Sequence, residues 1–230
     1  MTTERPRLLR VTVRVGVGVA LGGVAIVLAF LVNRALGDIP FQHLVRDPGH
    51  VTGTSPWIGA LAFAGWFGWV AAAVLLLTGG WLRRRADRAD RRAQFLFVTG
   101  CLTLGVLLDD TYQLHEDVLP DATGIGEEGW YVLHVVVLVA WIGLYRRELR
   151  TAPVELAVAA VLLGASQLID AVEATRDVLE TGAARAVIWE EGLKLIGIGF
   201  FTAFAVIEVG RAVVRLELAA GDPSGGAGRP

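Results

Sequence analysis

The 230-residue chain is 54% hydrophobic, with a mean hydropathy of +0.55 and a net charge of −2. That balance points to the membrane class, and 20 of its 21 basic residues are arginines clustered between apolar runs, a pattern of membrane orientation and not of nucleic-acid binding. A single cysteine, Cys101, rules out an internal disulfide and a cysteine-rich zinc site, leaving His, Asp and Glu as metal ligands.

Hydrocarbon about 30 Å thick requires roughly 20 apolar residues per helix. Six runs of that kind predict an all-α integral membrane protein, one polytopic domain over 1–217 with spans near 11–32, 57–82, 93–116, 130–145, 154–174 and 186–208. The first run follows Arg5, Arg7 and Arg10 and is too long for a signal-peptide core, so it reads as a retained helix. Its Gly16, Gly18, Gly22 and Gly23 suit close helix packing in lipid.

The second run ends in RRRADRADRR, whose interleaved Ala-Asp and juxtamembrane place mark a topology determinant. Trp57, Trp81, Trp130, Tyr131, Tyr145 and Trp189 fall near span ends, where aromatic anchors lie. The stretch 218–230 has the Gly, Pro and Ser content of a disordered tail.

Termini and even-numbered loops carry sixteen arginines and odd-numbered loops four, Arg34, Arg46, Arg176 and Arg185. The positive-inside rule then places both termini in the cytoplasm of a multi-pass cell-membrane protein.

With that orientation the third span rises outward and ends in VLLDDTYQLHED, residues 106–117. Asp109, Tyr112 and Glu116 share a helical stripe, His115 lies at its edge, and Asp110 points elsewhere with Gln113 and Asp117. His134 lies about one turn into the fourth span. Ser166, Gln167, Asp170 and Glu173 line one face of the fifth, and Glu190, Glu191 and Lys194 open the sixth. Spans three to six thus bundle around an extracytoplasmic polar pocket, and ionisable groups inside spans mark function by default.

Three functions fit. The first is a metal-dependent membrane enzyme acting on a lipid or other small substrate. A divalent zinc, iron or manganese ion would be held by Asp109, Glu116, His134, Asp170 and Glu190. Glu191 or Glu173 would serve as general base, and Tyr112 and Lys194 would orient or neutralise an anionic intermediate. The second is a structural or binding subunit whose acids pair with Lys194, Arg176 and Arg185. The third is a proton- or cation-coupled transporter, against which the ionisable groups stop halfway across. No nucleophile elbow, phosphate-cradling loop or dinucleotide fingerprint is present. Glu208, at the far end of the sixth span, reads as an inner-surface residue, and oligomeric state is left open.

Orientation has a direct check. A cysteine introduced by Thr123→Cys is expected to react with an impermeant maleimide from outside intact cells, and reaction only after lysis inverts the topology.

Overall fold

The computed structural model describes residues 52–53, 59–173 and 180–221, without the side chains of 117, 170–173, 180–187 and 219–221. The expected first span, its glycines and residues 222–230 lie outside the described residues. Apart from Ala60, the elements fall in one compact unit, Leu61–Pro230.

All regular structure among the described residues is helical: α1 (Ala60–Ala86), α2 (Arg91–Tyr112), a single π-helical turn (Leu114–Val118), α3 (Leu119–Thr123), α4 (Glu127–Leu144), α5 (Arg146–Arg150), α6 (Val154–Glu173) and α7 (Glu180–Gly221). Four helices are long and apolar enough to cross a membrane: α1, α2, α4 and the Ile188–Leu218 portion of α7. They correspond to the second, third, fourth and sixth expected spans. The fifth is helical as α6, and Val154–Ile169 is the apolar part of it among the described residues. Helices suit such sequences because lipid offers no partner to a bare N–H or C=O.

Polar side chains set the ends. Arg83, Arg84 and Arg85 occupy the last turn of α1, where cations complement exposed carbonyls. Asp90 caps α2: one oxygen accepts the Arg92 N–H at 2.9 Å and the other accepts from Arg83 Nε at 2.9 Å. Asp87 accepts the Ala89 N–H at 2.9 Å, so the two acids of RRRADRADRR close the turn between α1 and α2. Glu127 and Glu128 lie in the first turn of α4, where carboxylates complement the N-terminus.

Close approach depends on glycine at two contacts. A Cβ on Gly80 of α1 would stand 2.9 Å from the Ala93 carbonyl oxygen and 3.1 Å from the Phe97 nitrogen of α2. One on Gly197 of α7 would meet Leu163 of α6, at 2.8 Å from its side chain and 3.2 Å from its backbone nitrogen. Small residues at these points let whole helices close on each other, the usual basis of association in lipid.

The core lies between the two ends. Trp69, Leu76, Phe95, Leu96, Ile198 and Phe204 are buried in one cluster. Phe95 is its hub, stacked on Trp141 with ring centroids 5.7 Å apart and meeting Tyr145 and Phe204 edge-on at 5.5 and 6.3 Å. Trp141 Nε1 donates to Thr99 Oγ1 at 3.1 Å, which links α4 to α2, and Thr99 donates back to the Phe95 carbonyl at 2.6 Å.

Four expectations are corrected. Tyr145 is not an interfacial anchor: it is 4% exposed, because Phe95 provides an aromatic face for it. The third span does not remain α-helical to Glu116; α2 stops at Tyr112. The last helix runs on to Gly221, so residues 218–221 are helical and not part of a tail. Glu208 is no surface residue: it is 1% exposed and gripped by Arg92, whose Nη2 and Nε lie 2.8 and 3.0 Å from its two oxygens. Arg211 adds a third donor at 2.8 Å.

Arg92 joins the head of α2 to α7 across 116 residues of sequence, and its removal would leave a buried carboxylate with one donor. Breaking such a pair costs about 3–5 kcal/mol. Arg92→Gln is therefore expected to lower the thermal midpoint of the detergent-purified chain far more than Arg84→Gln does, and equal midpoints would refute the clamp.

Candidate functional site

The apolar run of α2 ends on two acids, Asp109 and Asp110, in the helix's last turn. Carboxylates there oppose the partial negative charge of the helix C-terminus and gain no stability from position alone. Their partners come from the turn beyond Tyr112 and from α7.

Gln113 breaks the helix. Its φ of 47° and ψ of 47° put it in the left-handed region, and its N–H returns to the Asp109 carbonyl. For a residue with a Cβ that conformation costs about 1–2 kcal/mol. The next turn is π-helical, closed by the Val118 N–H on the Gln113 carbonyl at 3.4 Å. In a continuous α-helix His115 would lie about 120° around the axis from Asp109. The break brings it back over the carboxylate.

Asp109 then serves His115 with both oxygens. Oδ1 accepts the His115 backbone N–H at 3.0 Å and Oδ2 lies 2.7 Å from His115 Nδ1. An ionised carboxylate only accepts, so Nδ1 carries the proton and Nε2 of a neutral ring is left with a lone pair. That Nε2 is buried and has no hydrogen-bond partner. Around it stand Tyr131, edge-on with ring centroids 4.9 Å apart, and His134 at 5.5 Å. His134 Nε2 is also 3.9 Å from Asp109 Oδ2, and Glu116 Oε1 is 3.7 Å from His115 Nε2.

A second constellation lies beside it. Lys194 Nζ of α7 donates to Asp110 Oδ1 of α2 at 3.2 Å and to Glu191 Oε1 at 3.1 Å. All three side chains are only partly exposed, so the pair ties α2 to α7 where solvent screening is reduced. Asp110, expected to point away from the pocket, is thus an interhelical partner, because α7 reaches the face of α2 that it occupies.

Of the expected site residues, the structure brings Asp109 and His134 near one another and adds His115. Tyr112 is 61% exposed, and Glu116 lies at the edge of the site: its Oε2 accepts from Gln113 Nε2 at 3.1 Å while its Oε1 stands 3.7 Å from His115 Nε2. The Asp109, Tyr112, Glu116 stripe does not form, since the helix carrying it ends after Tyr112. Glu191 and Lys194 bond each other, and Glu190 is half-buried. Asp170 and Glu173 belong to α6 by backbone, and their side chains lie outside the described residues. Ser166 is buried on α6 with its hydroxyl unpartnered. Among the described residues no group of three or more His, Cys, Asp or Glu side chains is placed to hold a metal ion.

The Lys194 link is testable by a double-mutant cycle. Asp110→Asn and Lys194→Gln are each expected to destabilise the protein, and together by less than their sum, with a coupling of roughly 0.5–3 kcal/mol in detergent unfolding. Strict additivity would mean that the contact carries no energy.

Over residues 18–207, well over half of its length, the chain matches the family model described as Domain of unknown function (DUF8692), and it belongs to that family. No curated protein and no solved structure matches it.

Proposed function

We propose that this member of the DUF8692 family is a six-span cell-membrane enzyme with both termini in the cytoplasm, using His115 as a general base in an outward-facing pocket. The observation that carries this reading is the unpartnered, buried Nε2 of an imidazole whose other nitrogen is held by Asp109 at 2.7 Å. A buried polar atom left bare costs about 1–3 kcal/mol, so an open Nε2 on an imidazole oriented by a carboxylate is a place where a proton or a ligand gains a bond.

Orientation by a carboxylate fixes the tautomer and stabilises the imidazolium that forms when Nε2 accepts a proton. The reaction is hydrolysis of an ester, amide or phosphoester of a lipid or other small substrate. Nε2 takes a proton from water as the water oxygen bonds to the electrophilic centre, and the proton is then returned to the leaving group. The rings of Tyr131 and His134 pack edge-on against the His115 ring. Lys194, engaged by Asp110 and Glu191, holds α2 against α7 and plays no part in the chemistry. The membrane orientation is supported by the clustering of Arg83, Arg91, Arg92, Arg147 and Arg211 around one pocket at the other end of α2.

A second reading has its own support. The carboxylate–imidazole pair is also the arrangement that orients a histidine metal ligand. In that case His115 Nε2 and His134 bind zinc, iron or manganese, and Asp109 supports the ligand from behind. Transport has less to recommend it: the apolar cluster around Phe95, Leu96 and Phe204 separates the two polar ends.

The test uses purified protein in nanodiscs with a panel of fluorogenic lipid esters, amides and phosphodiesters. His115→Gln is expected to lower turnover by about 10²–10⁴-fold while leaving the thermal midpoint near wild type. Wild-type turnover by folded His115→Gln removes the assignment. Metal analysis of the same samples separates the two readings: one metal per chain, lost in both His115→Gln and His134→Gln, selects the metal-bound form.

A further inference from the structure

At the opposite end of α2, about 25 Å from Asp109 at 1.5 Å per residue, lies a pocket of about 520 Å³. It is bordered by the head of α2, α5 and the C-terminal half of α7. Five arginines and three acids line it, a surplus of two positive charges.

Much of this charge is committed. Both oxygens of Glu208 are taken by Arg92 and Arg211. Two arginines are not so satisfied. The Arg147 side chain is exposed and makes no ion pair or hydrogen bond among the described residues. Arg91 is 56% exposed and meets one oxygen of Glu148 at 3.3 Å and the Leu144 carbonyl at 3.1 Å.

Beside them stands an unfilled acceptor. Glu148 is 8% exposed, and its Oε2 is buried without a hydrogen-bond partner. The lining of the pocket thus combines guanidinium groups that call for an anion with a residue, Glu148, one of whose carboxylate oxygens still lacks a hydrogen-bond donor. Guanidinium forks match phosphate oxygens in geometry and charge. A carboxylate oxygen is satisfied by a hydroxyl or an ammonium group.

We propose that this pocket binds a phosphate ester that carries its own hydroxyl or amine donor, the chemistry of a glycerophospholipid headgroup. Arg147 and Arg91 take the phosphate, and the Glu148 carboxylate takes the donor. Leu144, exposed at the end of α4, offers an apolar surface for the adjoining chain. Basic pockets between membrane helices suit such headgroups in general. The site is separate from the Asp109–His115 pair, and neither reading depends on the other.

The test uses the full chain in detergent with four probes: dihexanoyl phosphatidylglycerol, dihexanoyl phosphatidylcholine, glycerol 1-phosphate and inorganic phosphate. Phosphatidylcholine carries the phosphate without a donor. Phosphatidylglycerol is expected to raise the thermal midpoint and to bind at least about 10-fold more weakly to Arg147→Gln, a loss of one unpaired arginine–phosphate contact. The midpoint of that variant without ligand should match wild type, because Arg147 holds nothing else in place. Glu148→Gln should bring phosphatidylglycerol and phosphatidylcholine closer in affinity. Equally tight, Arg147-dependent binding of glycerol 1-phosphate supports the same site filled from solution instead of the bilayer. The proposal is overturned if no probe binds, if the two lipids bind wild type equally, if inorganic phosphate alone accounts for the effect, or if Arg147→Gln changes nothing.

Discussion

A charge inside a membrane protein needs a partner, and Asp109 meets that constraint with both oxygens at once. One holds a backbone N–H released by the end of α2, and the other holds an imidazole. The first contact stabilises the break in the helix; the second fixes a side chain that the break delivers. Without the carboxylate, the π turn would lose its anchor and His115 its orientation. Without the left-handed Gln113, His115 would lie on another face of α2. Termination of the helix and construction of the site are therefore one event.

The same constraint governs the other polar residues. Asp110, next in sequence, points to a different face and finds Lys194 on α7. At the far end Glu208 is fully enclosed, and three nitrogens of Arg92 and Arg211 surround it. Between these ends the hydroxyl of Thr103 turns back to the carbonyl four residues earlier, and Phe95 organises the aromatic packing. The bundle is thus polar where ion pairs can form and apolar where only packing is available. A consecutive pair of acids divides its labour through the 100° step of the helix, one towards the local turn and one towards a neighbouring helix.

Much of this is legible in the sequence. Length and hydropathy locate the helices seen as α1, α2, α4, α6 and α7, because a helix confined to lipid must be apolar over a fixed length. Asp109 and His134 stand out in the sequence because each lies inside an apolar run. Helical periodicity makes His115 a neighbour of the stripe but not the partner of Asp109, since a six-residue spacing matches no α-helical face. Only the left-handed residue and the π turn make it one, and Gln113 carries no glycine or proline to announce them. The pairing of Arg92 with Glu208 is hidden for a different reason: 116 residues separate them, and a local pattern contains no record of that contact.

The backbone irregularity also decides how the candidate site should be understood. A left-handed non-glycine residue and a π turn are conformations a helix adopts only when other contacts offset their cost. Here the offset comes from the hydrogen bonds that Asp109 makes to His115, so the strained segment and the oriented imidazole support each other. An unbroken α-helix would carry His115 to a different face, about 120° around the axis from Asp109. The arrangement instead places His115 Nε2 in a protein interior, between Tyr131 and His134, with nothing bonded to it. That open nitrogen, on a ring whose other nitrogen is fixed by Asp109, is the feature on which the proposed chemistry rests.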